Sequence, residues 1–449
     1  MQFVSTRGGA PPAGFSEAMV RGLAPDGGLY IPERFPLFDP AGLAGAPPLP
    51  ELAARVLAPF FEGDPLAGSL GEICREAFDF EVPLVFPADR GDPAPAGPVA
   101  EGRFDGPALR GPVGATAILE LFHGPTAAFK DLGARFMAAC LSRVPDAGAG
   151  PRTVLVATSG DTGGAVAAAF HGRPGIEVGI LFPKGGVSGR QERQLTAWGG
   201  NVRAFAVTGT FDDCQRVLKE AFADDGWRQT RRLTTANSIN IARLLPQTVY
   251  YASTALAYRR ARGVAPGFVV PSGNAGNVTA AFWARAMGFP VGDLVLAANA
   301  NRTLPDFFAS GRWEPRPSVA TLANAMDVGD PSNMERLLAL YPDAGALRAA
   351  AESVGVNDAT IRRVIAEGPP RWGRIWDPHT ATAVFAREQV DSPDWVIVST
   401  AHPAKFETIV EPLVGVPVPV PPALAAILAR PGRCTEVAPE LADFERAWG

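Results

Sequence analysis

The chain has 449 residues, 47% of them hydrophobic and 19% charged, with a formal net charge of −5. That length leaves room for two or three domains around a large core, and the balance is that of an ordinary soluble globular enzyme. The mild acidity and lack of a basic cluster argue against a nucleic-acid partner, and no apolar run approaches the roughly eighteen residues that a membrane span needs.

The amino terminus, MQFVSTRGGAPPAGFSEAMV, lacks the charged start and apolar core of a signal peptide, so a cytoplasmic location is expected. Cys74, Cys140, Cys214 and Cys434 are far apart with no CxxC pair and read as isolated reduced thiols. His123, His171, His379 and His402 show no paired spacing, and no metal site is expected. Residues 22–36, GLAPDGGLYIPERFP, are turn-rich around Asp26, Gly27 and Gly28. Short helices with apolar faces are expected at 50–61 and 71–78, the first with proline at its start, where a missing amide costs least. These segments read as a separate small unit covering about the first hundred residues. The proline- and glycine-rich passage 83–114 reads as a connection.

Residues 121–139, LFHGPTAAFKDLGARFMAA, place Lys130 just inside the start of an expected helix. Thr126 is the candidate N-cap, Phe129, Leu132, Phe136 and Cys140 form an apolar face, and Asp131 and Arg135 stand four apart, a spacing that suits an ion pair. Desolvation and the positive end of a helix dipole both disfavour an ammonium at Lys130, and a neutral amine is what attacks a carbonyl. Of the 41 basic residues only four are lysines, Lys130, Lys184, Lys219 and Lys405. Arginine cannot form a Schiff base at neutral pH, so a lysine kept in an apolar run of such a chain stands out.

From residue 153 the pattern becomes strand, glycine loop, helix, repeated. Strands are expected at 154–157, 178–182, 202–207, 267–270, 294–298 and 395–399, with helices at 165–170, 211–222 and 278–287. This is a parallel α/β arrangement, in which ligands collect at the carboxyl ends of the strands. Two of the loops suit anions. TSGDTGG, 158–164, offers the hydroxyls of Thr158, Ser159 and Thr162 with successive amides at a helix start, and SGNAGN, 272–277, is a second such cradle without the GK[ST] ending of a P-loop. A third stretch, TANSINIARLLPQ (235–247), gathers Asn237, Ser238 and Arg243, whose planar guanidinium suits phosphate. Thr400 sits just past an apolar strand. Each feature alone also fits an ordinary turn, a capped helix or a snorkelling lysine.

HGPTAAFKDLG closely resembles the lysine motif of threonine synthases, members of the tryptophan-synthase-like (fold type II) family of pyridoxal phosphate enzymes. STRG, GLAxDGGLYxP, TSGDTGG, SGNAGN and LANAMDVGDPSN (322–333) extend the resemblance over most of the chain. The resemblance implies an α/β, fold type II architecture with parallel and mixed sheets in a large and a smaller domain, plus an N-terminal subdomain. The expected segments are 1–100 for that subdomain, 101–150 for the first part of the large domain, 151–235 for a small substrate-binding domain and 236–449 for the rest of the large domain. It implies pyridoxal 5′-phosphate held through a Schiff base on Lys130, which also serves as the catalytic base. Its phosphate would lie on Gly273, Asn274, Ala275, Gly276 and Asn277, and its ring nitrogen on Thr400. Thr158, Ser159, Asp161 and Thr162 would bind the substrate's α-carboxylate, and Asn237, Ser238 and Arg243 the phosphate of O-phospho-L-homoserine. Lys405 would support the fold or bind an anion, and closure of the small domain over the site is expected.

The activity so implied is conversion of O-phospho-L-homoserine and water to L-threonine and phosphate. The motifs equally fit a phospho-lyase that releases 2-oxobutyrate, and a catalytically silent metabolite-binding relative is the remaining alternative. No nucleic-acid or membrane partner is expected, and the chain would be a monomer or a homodimer.

Overall fold

The computed structural model describes residues 1–43, 47–87, 116–145 and 150–449. Of the connection expected at 83–114, residues 88–114 lie outside the described residues. Among the described residues the strands form three sheets. The six-stranded sheet runs, in spatial order, Glu352–Gly355, Leu294–Ala298, Gly267–Pro271, Trp395–Ser399, Thr116–Glu120 and Leu84–Val85, and only its last pair is antiparallel. The five-stranded sheet runs Thr435–Val437, Val202–Val207, Ile176–Pro183, Arg152–Ala157 and Leu233–Thr235, parallel throughout. Phe3–Ser5 pairs antiparallel with Tyr30–Pro32. The α/β architecture of parallel and mixed sheets flanked by helices is the one expected.

Both large sheets are covered on both faces, which is why their strands read as continuous apolar runs. Side chains alternate across a strand. Val154 and Val156 face the central core while Leu155 and Ala157 face the other way, and Leu294 and Leu296 oppose Val295 and Ala297 in the same manner. The outer face of the five-stranded sheet is closed by the chain's tail. Phe444 and Trp448, on the helix Leu441–Trp448, pack on Leu155, Leu181 and Phe205. Trp448 comes so close that a Cβ at residue 179 would lie 2.3 Å from its ring, so only glycine fits there. The tail, grouped in sequence with the 236–449 segment, therefore adds a strand and a helix to the sheet of the 151–235 segment instead.

The N-terminal unit is less separate than its sequence implies. Its helices, Leu49–Leu57 and Leu70–Ala77, share one core with the helix Lys130–Leu141. Phe136 sits edge-on to Phe15 and Phe61, with ring centroids 6.3 and 6.2 Å apart. The lysine helix is thus held from behind by the first eighty residues.

Candidate active site

The helix Lys130–Leu141 begins at the lysine itself, with Phe129 before it and no side-chain cap. Thr126 is not the cap: its amide and hydroxyl donate to Oδ2 and Oδ1 of Asp131 at 2.8 and 2.6 Å. The turn passes through Ala127 in the left-handed region (φ 55°), and Asp131 packs tightly over Gly124. Asp131 is consequently buried and does not pair with Arg135, which reaches Asp79 at 2.6 Å. This turn presents the Lys130 side chain, 13% exposed, to a cavity of about 270 Å³. Burial pushes its amine below the ordinary 10.5, with Asp161 opposing and Lys405 and Arg243 adding to the fall.

Every candidate residue from the sequence lines this one cavity, including Gly273 to Asn277 and Thr400. It lies at the carboxyl ends of strands from both large sheets. Residues 273–277 lead from the strand Gly267–Pro271 into the helix Gly276–Ala286, whose first amides have no intrahelical partner. Gly273 passes so close to the backbone of Met326 that a Cβ would lie 2.6 Å from its Cα. Asn277 accepts from the phenols of Tyr250 and Tyr251 at 2.6 and 2.8 Å through Oδ1, and its buried Nδ2 has no partner. Buried donors are nearly always satisfied, so an anion at this helix start is what the loop lacks, and a phosphate fits. Asn274 differs from expectation in its side chain, which is spent on Ser238 Oγ (2.7 Å) and the amide of Ser332 (2.6 Å). Thr400 is fixed by its backbone, which accepts from Phe129 N at 2.9 Å and donates to Thr380 Oγ1 at 3.2 Å, leaving its hydroxyl for the cavity.

On the opposite wall, three of the expected anion ligands are otherwise engaged. Thr158 Oγ1 accepts from the amides of Gly160 and Gly163 at 3.0 and 2.9 Å, so it occupies two amides of its own cradle, one of them in the first turn of the helix Asp161–Phe170. Asn237 donates to Ala157 O at 2.8 Å and accepts from Thr235 Oγ1, tying two loops together. The Asp161 carboxylate turns to Lys405 at 2.8 Å and Lys130 at 3.6 Å. Burial would raise its pKa, but Lys405 and Lys130 pull it far below the usual carboxylate range, and an anion there repels a substrate carboxylate. Ser159, Thr162 and Ser238 keep hydroxyls at the cavity. Arg243 lines the cavity, is buried and is bonded to Ala236 O, and its unpartnered Nε lies toward Gly133 of the lysine helix. Burial lowers it to about 10, opposed only by Asp131.

Sequence reasoning missed the segment 316–330 as cavity wall, although LANAMDVGDPSN carries its signal. Asn324 donates to Ser159 O (3.3 Å) and Gln191 Oε1 (3.0 Å), and His379 Nε2 accepts from the amide of Ala325 at 3.1 Å. The other ring nitrogen of His379 faces Asp377 at 2.9 Å. Arg316, Ser318 and Asp327 also line the cavity. Tyr250 and Tyr251 left no signal beyond two aromatics on a buried helix.

The family profile of pyridoxal-phosphate dependent enzymes matches residues 112–401, that of the threonine synthase N terminus residues 2–78, and that of the threonine synthase C-terminal region residues 380–447. Threonine synthase of Haemophilus influenzae is 38% identical, over 91% of this chain and 90% of its own length. That of Escherichia coli is 37% identical, over 92% and 90%. Among solved structures, Escherichia coli threonine synthase superposes with a TM-score of 0.87 at 33% identity, covering 100% of this chain and 99% of that one. The pyridoxal-phosphate-bound threonine synthase of Brucella melitensis gives 0.86 at 35% identity, covering 100% and 98%.

Proposed function

The chain belongs to the threonine synthase family of pyridoxal-phosphate-dependent enzymes, and from that premise we propose that it converts O-phospho-L-homoserine and water to L-threonine and phosphate with Lys130 as the reacting amine. The observation that carries this reading is the convergence on one cavity of a desolvated amine, a helix-start cradle with an unpaired donor, and a buried arginine with no carboxylate on it.

The residues divide the work as follows. Lys130 Nζ would hold the cofactor through its carbonyl carbon, the amides of 273–277 with Asn277 Nδ2 would take its phosphate, and the Thr400 hydroxyl would meet its ring nitrogen. Bound there, the cofactor supplies an electron sink for charge developing next to the substrate's amine. A hydroxyl at the ring nitrogen, unlike a carboxylate, does not force a proton onto it. Arg243, Ser238 and the remaining amide hydrogen of Asn237 hold the leaving phosphate. Ser159, Thr162 and the first amides of Asp161–Phe170 take the carboxylate, while Thr158 and the Asp161 side chain serve the loop's structure and charge. The neutral Lys130 Nζ would take the protons at the α- and β-carbons and deliver one to the γ-carbon, where phosphate leaves, and one back to the α-carbon. Water supplies the hydroxyl at the β-carbon, and its other proton goes to the departing phosphate. The segments 116–145 and 236–428 form the large domain, 151–235 with the returning tail forms the small one, and the protein works in the cytoplasm as a monomer or homodimer. Four unpaired cysteines are in keeping with that compartment.

The test is to incubate the purified holoenzyme with O-phospho-L-homoserine and assay phosphate, threonine and 2-oxobutyrate together. Phosphate with matching threonine is expected. Phosphate with 2-oxobutyrate makes the chain a lyase on the same cofactor site, and no phosphate overturns the substrate. Lys130→Ala is expected to abolish turnover and the cofactor's visible band.

A further inference from the structure

Asp161 is an odd residue for an anion-binding loop, and its surroundings explain what it does there. Its Oδ1 receives Lys405 Nζ at 2.8 Å and Gln191 Nε2 at 3.1 Å, while its Oδ2 stands 3.6 Å from Lys130 Nζ. Lys405 is completely buried, and its ammonium also donates to Thr126 O at 2.9 Å, in the turn that launches the lysine helix. Burying an ammonium without a partner is costly, so Lys405 stays locked on the carboxylate. One carboxylate thus faces two amines, one of them fixed and one reactive.

The other charges around them are few. Arg243 faces Lys130 from the helix Ile241–Leu244, and His379 faces Asp161 from the helix Pro378–Arg387. Asp131, next to Lys130 on its own helix, faces Lys405 and Arg243. Asp327, held by Asn299, Asn301 and Thr321, lines the cavity further off, and Asp212, Arg316 and Asp330 stand at its exposed rim. Among the described residues, Asp161 is the carboxylate within ion-pair distance of Lys130.

We propose that Asp161 and Lys405 are positioning residues that set the proton affinity of the Lys130 nitrogen, the shared carboxylate favouring a proton there and the locked ammonium opposing it. The same nitrogen has to shed a proton to act as a base and carry one to give it back, and two opposed charges at fixed distances hold it between those demands. The pair also spans the two sheets, since Asp161 begins a helix of the five-stranded layer and Lys405 follows the strand Trp395–Ser399. The arrangement rests on Lys130 as the cofactor-bearing lysine.

Charge removal on either side has opposite consequences, which a purely structural role would not produce. An opposite charge within about 4–6 Å moves a titrating group by roughly 1–3 pH units, and a like charge moves it the other way. The holoenzyme without substrate is titrated by its visible absorbance as wild type, Asp161→Asn, Lys405→Met and the double variant. The midpoint is expected to fall by about one pH unit or more in D161N and to rise by about as much in K405M. The double variant, which buries neither charge, returns close to wild type, and Lys405→Arg stays there too. Shifts in one direction, or none, overturn the proposal. Should K405M fail to fold, the fall in D161N and its cancellation in the double variant decide the matter alone. Borohydride reduction and peptide mass spectrometry on the same samples locate the cofactor. Attachment at Lys130 with unopposed shifts sinks this inference only, whereas attachment at Lys405 in the wild type sinks the reading of Lys130 beneath it.

Discussion

Asn277 is oriented by what its neighbours give it. Two phenols donate to its Oδ1, and its buried amide nitrogen is left unpaired. A buried donor without a partner costs about 1–3 kcal/mol, a cost that an anion in the cradle would remove. Replacing it with leucine, similar in shape but with neither donor nor acceptor, is therefore expected to weaken pyridoxal phosphate binding and also to cost some stability, because two buried phenols lose the acceptor they share. A hydrogen bond to a charged group is worth about 1.5–3 kcal/mol, so the dissociation constant should rise by roughly tenfold to a hundredfold. Equilibrium dialysis of the apoprotein with the cofactor measures this directly, and an unchanged constant would remove Asn277 from the cradle. The loop itself was legible, because SGNAGN is a contiguous strand-to-helix signal. The tyrosines were not: they stand 27 and 26 residues upstream, and nothing in a helical aromatic pair says which amide it will meet. The same distance problem hid the role of Asp161, whose partner Lys405 lies 244 positions away.

At the scale of elements, most of the strand pattern could be read locally. Val202–Val207, Leu294–Ala298 and Trp395–Ser399 begin and end where their apolar runs do, and the helix expected at 211–222 runs Phe211–Ala223. The failures are of another kind. Thr126 satisfies every local rule for a cap, yet a buried Asp131 within the next turn takes its hydroxyl. The tail is proline-rich and weakly patterned until its last eight residues, so its return to the five-stranded sheet depended on an uncovered face rather than on its own sequence. That face supplies a prediction. Trp448 is 2% exposed and packs with Phe205, Trp227 and Phe444 at centroid separations of 5.8 Å each. Truncating so large a core side chain typically costs about 3–5 kcal/mol, and Trp448→Ala should destabilise the five-stranded layer by that order. Urea denaturation followed by Trp227 fluorescence reads it. A loss under about 1 kcal/mol would mean that the sheet does not need its tail.

For the whole molecule, the question is which parts can move when substrate arrives. Sequence reasoning expects the small domain to close as a body, but many bonds already cross between the two layers. Gln194 donates to Thr126 O at 2.9 Å, Ser188 to Lys405 O at 3.0 Å and Asn324 to Ser159 O at 3.3 Å. Arg190 reaches Ala404 O, and Asp161 holds Lys405. On the other side, Asn237 bonds Ala157 O at 2.8 Å and the chain passes directly between layers. With both flanks tied, a rigid rotation of one sheet against the other would break several buried or part-buried hydrogen bonds and a buried ion pair at once. Among the described residues the rim shows no such ties across the opening: Asp212 and Asp330 are exposed, and Arg316 reaches Asp306 (2.9 Å) and, through its amide, the backbone of Gly329 (3.2 Å). Motion should therefore concentrate there, since segments with few buried contacts open at the lowest free energy. Hydrogen exchange of the holoenzyme, with and without a non-reacting phosphonate analogue of the substrate, should show added protection in 211–215 and 316–320. The strands Arg152–Ala157 and Ile176–Pro183 should change little. Protection spread evenly over the five-stranded layer would restore closure of the whole domain, and no change in either place would mean that the cavity accepts its substrate already formed.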